Sequence, residues 1–148
     1  MDSRRGIGRT EVIIGIAVVA VVALITLPLW LNTSRKSGRA EVPLNVDAIK
    51  LAEVTYNEAF DEFVSAEAAP RATTAVNTEK VAWAPSPGFV KLAWEPEEKQ
   101  LYGSYMVVAR DDDFTVTGTC DLDGDGQRAV FTANATDNAT MTTDESIY

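Results

Sequence analysis

The most constraining feature of the chain is an apolar run of twenty residues, 12–31, which contains no charged side chain. As an α-helix this run spans roughly 30 Å, the thickness of the hydrocarbon core of a bilayer. It is too long for the apolar part of a cleavable secretory signal. The run therefore predicts a membrane-spanning helix, and Trp30 stands near its end, where an interfacial aromatic residue is expected.

The charges on either side of the run predict an orientation. Arg4, Arg5 and Arg9 precede it, and basic flanks stay in the cytoplasm. The chain as a whole has 22 Asp and Glu against 13 Lys and Arg, a net charge of −9, and most of the acidic residues follow the run. A long acidic domain is translocated largely regardless of its flanking charge. The sequence therefore predicts a single-pass inner-membrane protein, N-terminus inside, with residues 32–148 outside the cytoplasm.

Composition excludes several classes of function. The chain has no histidine, which excludes a Ser-His-Asp triad, a Cys-His pair and a histidine-ligated metal. Cys120 is the only cysteine, so no intrachain disulfide can form; a buried free thiol is predicted, with an intermolecular disulfide as the alternative. The acidic balance repels phosphate and argues against a nucleic-acid partner. No catalytic constellation is evident, which predicts a protein that is not an enzyme.

A short basic leader ending in Gly6 precedes the apolar run. Ile7 follows it, and Glu11 is the fifth residue after the glycine, directly against the run. A carboxylate at the edge of a membrane is costly unless it is paired, which makes Glu11 a candidate functional residue. The alternative is that Glu11 lies at headgroup level, stabilises a helix N-terminus and pairs with Arg9.

This arrangement resembles the N-terminus of type IV pilins and pseudopilins, including a proline at position 28. The resemblance implies that a prepilin peptidase cleaves after Gly6 and methylates the new amine of Ile7, with cleavage after Gly8 as the alternative. It also implies that Glu11 meets the N-terminal amine of a neighbouring subunit and that Pro28 kinks the helix. An ion pair in an apolar filament core is stable only when both charges find partners, so this pair would specify register.

After the polar residues 32–40, the pattern over residues 48–69 predicts an amphipathic helix. Its apolar residues recur at three- and four-residue spacing in one stripe that includes Leu51 and Phe60, and we expect this stripe to pack against a C-terminal sheet. Glu53 is predicted to lie off the stripe, in water. Pro43 either suits a first helical turn or breaks the long helix in two.

The rest of the chain predicts a small β domain. Residues 101–109, 114–120 and 128–135 alternate in hydropathy, and residues 89–94 predict a further short strand. The predicted fold class is α+β: a long N-terminal helix, membrane-spanning in its first half, packed on an antiparallel sheet of three to four strands. The predicted organisation is a leader at 1–6, a membrane-spanning helix at 7–31, a helix continuation at 32–69 and a β domain at 70–148. Three further stretches, 94–96, 102–105 and 119–126, are also similar to small pilins.

The loop after Cys120 is the one cluster in the sequence with the spacing of metal ligands. Asp121, Asp123 and Asp125 occupy alternate positions, and two glycines permit a tight turn, so the carboxylates could converge on Ca²⁺. The loop is not an EF-hand, because its twelfth position is Thr132 and its flanks are predicted strands. The alternative is a solvated β-turn in which Asp and Gly favour the turn geometry.

Two functions follow from these features. The first is a structural subunit of a type IV pilus or a related pseudopilus, which associates with its own copies and with other pilins, and passes from the inner membrane to an extracellular or periplasmic filament. The second is an uncleaved, single-span periplasmic binding module anchored in the membrane, with calcium as its candidate ligand.

Overall fold

The computed structural model describes residues 9–148, with side chains described from Ile16 onward except at positions 18, 25 and 28. The chain divides after Ser34 into two compact units, which are considered separately. The first helix, α1, runs over Arg9–Arg39. The hydroxyl groups of Thr26 and Thr33 each donate a hydrogen bond of 2.9 Å to the carbonyl four residues earlier. Local bonds of this kind satisfy a polar side chain on an otherwise apolar helix.

The prediction of a membrane-spanning helix over residues 7–31 is wrong. Among the residues that the structure describes, none of the helices combines the length and the apolarity that a bilayer crossing demands. The predicted single-pass inner-membrane location is corrected by the same finding, as is the membrane-spanning half of the predicted fold class.

The second unit contains helices and short strands in the order of an α+β fold. Helix α2 is separated from α1 by one residue, Ala40, and a single-turn 3₁₀ helix follows the first strand. The elements are α2 (Glu41–Phe60), β1 (Ala66–Ala69), the 3₁₀ helix (Thr73–Ala75), β2 (Val81–Ala82), α3 (Pro87–Lys91), β3 (Gln100–Leu101), β4 (Ser104–Ala109), β5 (Phe114–Cys120), β6 (Ala129–Asn134) and β7 (Thr140–Met141).

The main sheet is antiparallel and has five strands in the order β1-β4-β5-β6-β7, while β2 and β3 form a separate pair. This corrects the predicted count of three to four strands. The predicted strands at 101–109, 114–120 and 128–135 correspond to the three central strands, with Leu101 in β3. Their register places Val107 opposite Val116, and Val116 opposite Ala133, on the buried face.

Helix α2 packs against β5 and β6. Val42, Val46 and Ile49 lie on the side that faces the sheet, and none of them has any exposed surface. The helix comes close to the strands at Gly118, where an added Cβ atom would lie 2.5 Å from a methyl group of Val46. A larger residue at this position would push the helix off the sheet, because packed interiors leave no such room.

Two local predictions differ from the structure near α2 and α3. The helix predicted over residues 48–69 ends at Phe60, because Asp61 turns into the left-handed conformation (φ 57°) and donates its N–H to the carbonyl of Asn57. The strand predicted over residues 89–94 is not formed: its first three residues belong to the short helix α3, and a turn follows. Pro87 stands in the first turn of α3, where its missing N–H is not needed.

Both edges of the five-stranded sheet are short. β1 has four residues and is followed by Pro70, and β7 has two residues. The carbonyl of Glu67 on β1 accepts a hydrogen bond of 2.9 Å from the Ser86 hydroxyl, at the start of α3. Short edges with occupied main-chain groups leave little for a further strand to pair with.

Candidate functional site

The described part of α1 exposes its apolar side chains. Nine large apolar residues between positions 16 and 31 are 46% to 75% exposed. At 100° per residue these positions are distributed over every side of the helix. A helix that is apolar all round is normally covered by other structure. The nine residues are Ile16, Val19, Val21, Val22, Leu24, Leu27, Leu29, Trp30 and Leu31.

The site residues predicted at the N-terminus lie largely beyond the described part of the chain. Gly6 and Ile7, the predicted cleavage point, are outside the described residues. Glu11 and Pro28 fall within the helical backbone of α1, but their side chains are outside the description. The predicted pairing of Glu11 and the predicted kink at Pro28 therefore stay predictions.

The structure brings the three predicted carboxylates of the acidic loop together between β5 and β6. Asp121, Asp123 and Asp125 each offer an oxygen within 4.8 Å of the others. Asp121 is 4% exposed, and its two carboxylate oxygens accept the backbone N–H groups of Gly124, at 2.7 Å, and Gly126, at 3.1 Å. This geometry suits a divalent cation held by hard oxygen ligands, and it equally suits a turn closed by its own hydrogen bonds.

The conformation of the acidic loop depends on its glycines. Gly124 and Gly126 adopt φ values of 72° and 85°, a region that side chains with a Cβ atom rarely enter. Asp125 accepts the backbone N–H of Gln127 at 2.7 Å. These conformations let the N–H groups of both glycines reach the carboxylate of Asp121, and a substitution at either would strain the loop whether or not a cation is bound.

Glu41, the first residue of α2, is a polar anchor that the sequence did not indicate. Its carboxylate accepts the N–H groups of Tyr102 and Gly103, at 3.3 and 3.1 Å, and the hydroxyl of Tyr105 at 3.1 Å. The Asn45 side chain donates to the same hydroxyl at 2.9 Å. Burial, with the charge of Glu41 next in importance, raises the pKa of Tyr105 well above its ordinary value. This network fixes the first turn of α2 to the sheet.

Glu53 contradicts its predicted position in water. It has no exposed surface and lies on the same face of α2 as Ile49. One carboxylate oxygen accepts the N–H of Val64 at 3.0 Å, while the other has no hydrogen-bond partner. Burial raises the pKa of Glu53 to about 7, although the Val64 N–H and the charge of Lys91 act in the opposite direction. The spacing of Glu53 from Ile49 and Val46, four and seven residues, was the available signal.

Cys120 is a buried free thiol, as predicted. Burial, and then the negative charge of Glu41, raise its pKa to about 12. The thiolate is the reactive form of cysteine, so this side chain is chemically inert at neutral pH. The aromatic residues Trp94 and Tyr105 are buried nearby in the chain's core, with ring centroids 6.0 Å apart.

Comparisons with known proteins find nothing similar to this chain: no family model matches it, and neither does any curated protein or solved structure. The resemblance to type IV pilins therefore stays a prediction from the residues quoted above.

Proposed function

We propose that this chain is a structural, pilin-like subunit of a filament, assembled through its N-terminal helix after a prepilin peptidase removes residues 1–6. The observation that carries the proposal is the exposure of the nine apolar side chains of α1. Exposed apolar patches larger than a few hundred Å² mark interaction sites in most proteins. A bundle of like helices would cover α1 on every side, which matches the distribution of its apolar residues.

The energy available from such a bundle is sufficient for stable association. Complete burial of a large aliphatic side chain contributes about 1.5–3 kcal/mol. Nine side chains at this value supply roughly 14–27 kcal/mol in gross terms, to be set against an association cost of roughly 4–15 kcal/mol. Because a filament gives each helix several neighbours, this energy is shared over several contacts, and no single pair has to be strong.

Residues 35–148 fit the outer part of such a subunit. They form their own buried core, and the acidic balance of the chain keeps assembled copies apart except where apolar surfaces meet. An assembly function requires no catalytic group. The chemistry of the chain's own residues is then confined to the pairing of Glu11 with a freed amine, as the resemblance implies.

N-terminal mass analysis of the mature chain tests the proposal. We expect the loss of residues 1–6 and the gain of one methyl group on Ile7. Loss of residues 1–8 would shift the cleavage point to Gly8 and leave the proposal standing. An intact terminus, or one that lacks Met1 alone, would contradict it, because no amine would then be available to meet Glu11 in the filament core.

A second measurement tests assembly directly. The full chain, co-expressed with a prepilin peptidase, should sediment as filaments visible by electron microscopy. A test variant, Leu24→Asn, places an amide at the most exposed of the described large apolar positions of α1, which is 75% exposed. Since Leu24 makes no contribution to the core of residues 35–148, its replacement should reduce assembly and leave the β domain folded.

A further inference from the structure

A carboxyl group in the core of the second unit has an incomplete set of hydrogen bonds. Glu53 has no exposed surface, and its Oε1 atom has no hydrogen-bond partner among the residues that the structure describes. Its Oε2 atom accepts the backbone N–H of Val64 at 3.0 Å. A buried ionised carboxylate needs several donors, because each vacant acceptor adds to the cost of removing the charge from water. With one donor in reach, the site fits a carboxyl group that carries a proton.

The one donor belongs to a connection that has little regular structure. Val64 lies in residues 61–65, which join α2 to β1 without a helix or a strand. Val64 is 5% exposed, and the neighbouring Phe63 packs against Phe114 with ring centroids 4.9 Å apart. The connection is therefore closed by side-chain packing and by its bond to Glu53, and no ladder of backbone hydrogen bonds supports it.

Strand β1, which follows the connection, pairs with another strand on one side only. Its register with β4 is irregular between Ala66 and Ala69. On the other side it meets α3, where the Ser86 hydroxyl donates to the Glu67 carbonyl, and a groove of about 480 Å³ is lined by residues of β1, β4 and α3. Strand β5, in contrast, is paired on both sides along almost its whole length. Segments with few attachments open before the rest of a domain unfolds.

We propose that Glu53 acts as a pH-sensitive latch for residues 61–69. While its carboxyl group carries a proton, Glu53 stays buried, bonds the N–H of Val64, and the segment is closed. When this proton passes to water, the ionised carboxylate lacks the partners that it needs in the core. The segment then opens and water reaches Glu53, while the strands from β4 to β7 stay folded.

The pKa of Glu53 places this transition near neutral pH. Burial raises its pKa from 4.5 to about 7, although the N–H of Val64 and the charge of Lys91 act in the opposite direction. The closed form therefore keeps a proton that the open form releases, and opening becomes easier as the pH rises from about 4.5 through 7. From these two pKa values, the equilibrium for opening should shift by roughly 70-fold between pH 5 and pH 8.

Other charged groups near Glu53 do not provide a competing switch. Lys91 of α3 is the cation that acts on Glu53; it is paired with Glu62 at 2.7 Å, and both side chains are about half exposed. The buried face of β6 is apolar. The titratable residues that β4 and β5 bury have pKa values raised by burial; they are Tyr105 and Cys120. The remaining titratable residues of the last turns of α2, of the connection and of β1 are at least partly exposed: Tyr56, Glu58, Asp61 and Glu67.

Amide hydrogen exchange, measured by mass spectrometry on the full chain in detergent, tests the latch. After correction for the intrinsic effect of pH on exchange, we expect the protection of residues 61–69 to fall roughly 70-fold between pH 5 and pH 8. At urea concentrations too low to unfold the domain, exchange in this segment should not change with urea. Exchange in β5 and β6 should increase with urea, because it requires global unfolding.

Two variants isolate the carboxyl group. Glu53→Gln keeps an acceptor for the N–H of Val64 and cannot ionise, so residues 61–69 should stay protected at pH 8. Glu53→Met, a flexible apolar replacement of similar length, removes the titration as well and gives the same readout if the glutamine variant does not fold. Glu58→Gln, at an exposed position of the same helix, is the control and should behave as the parent chain.

Three results would overturn the latch. The first is protection of residues 61–69 that does not change with pH, and the second is a fall with pH that persists in the Glu53 variants. The third is exchange of residues 61–69 with the same urea dependence as β5 and β6, which would show that the whole domain opens at once. None of these results depends on whether the chain forms filaments.

Discussion

The two units of this chain differ in where their apolar side chains go. In residues 35–148 the helix α2 buries Val42 and Ile49 completely against a sheet of the same chain. In α1 the comparable residues Ile16 and Leu24 are 65% and 75% exposed. The first arrangement is complete within one molecule, and the second requires another surface. Stability of the β domain and assembly of the chain should therefore be separable by mutation.

The largest expected effect is on assembly, from Glu11→Val. Removing one partner of a buried ion pair costs about 3–5 kcal/mol, because the other charge stays buried and unpaired. We expect the sedimented fraction to fall more than ~100-fold while the circular dichroism of the β domain is unchanged. The control is Glu95→Val, at an exposed acidic residue of the second unit. Normal incorporation of the Glu11 variant would show that this carboxylate has no paired role.

A smaller effect, confined to the second unit, is expected from Glu53→Gln. Since the pKa of Glu53 is raised from 4.5 to about 7, the folded chain retains a proton that the unfolded chain releases between these values. The free energy of unfolding should therefore decrease as the pH rises from about 4.5 through 7, by roughly 3 kcal/mol in all.

The glutamine variant should lose this part of the pH dependence and be more stable than the parent chain at pH 8. Urea denaturation followed by tryptophan fluorescence at several pH values measures both. Glu58→Gln, at an exposed position on the same helix, is the control and should keep the parent's profile. A parent chain whose stability is the same at pH 5 and pH 8 would contradict the interpretation of Glu53 as a buried proton site.

Calcium binding is a third property that should affect only one of the two units, because the acidic loop lies in the second unit. If the loop holds Ca²⁺, a concentration 100-fold above Kd adds about 2.7 kcal/mol to stability. We expect EDTA to lower the melting temperature of the β domain and Asp123→Asn to remove the difference. Asp112→Asn, in the acidic turn between β4 and β5, should not. An identical melting curve with and without EDTA would favour the self-closed turn.

The smallest effect is expected from Tyr105→Phe, which removes the hydroxyl shared by Glu41 and Asn45. Loss of such a buried hydrogen bond should destabilise the β domain by about 1–2 kcal/mol. Assembly should change only in proportion to the unfolded fraction. Tyr148→Phe, whose hydroxyl has no hydrogen bond among the described residues, is the control. A large loss of assembly without loss of stability would break the separation between the units.

Hydropathy alternation predicted the central strands because it is a local property. In β5 the buried residues Phe114 and Val116 alternate with threonines, and this pattern alone predicts which side chains face the core. The same reasoning failed at residues 89–94, where Phe89 and Leu92 are three residues apart and both buried. That spacing fits a helix, and Pro87 provides its first turn.

The orientation of α2 was harder to predict, because the helix has two apolar faces. Leu51 was placed on the packed stripe, yet it is 67% exposed, because the sheet contacts the face of Val46 and Ile49. Phe60 lies on the same side as Ile49 by helical periodicity, but it stands in the last turn of α2 and is 64% exposed. Periodicity shows that a stripe exists without showing which of two stripes meets the core. The partners of Glu41 lie about sixty residues away in the sequence, and no local pattern connects them.

The acidic loop was located correctly because its ligands are neighbours in the sequence. The spacing of Asp121, Asp123 and Asp125 predicted that their carboxylates converge, and the structure places one oxygen of each within 4.8 Å of the others. Buried Glu53 was missed because an acidic residue at a helical position is ordinarily solvated. Its partner, the Val64 N–H, becomes available only because α2 ends at Phe60 and the chain turns back.

The abbreviated outer strands β1 and β7 have a consequence for how copies of this protein meet. A strand from another chain could form few main-chain hydrogen bonds with either of them, because both are short. On β1 the carbonyl of Glu67 also already accepts a hydrogen bond from Ser86. Cross-β stacking is thus discouraged even at high protein concentration. In the filament proposed above, copies would meet through helices, whose main-chain groups are satisfied internally and offer no template for amyloid.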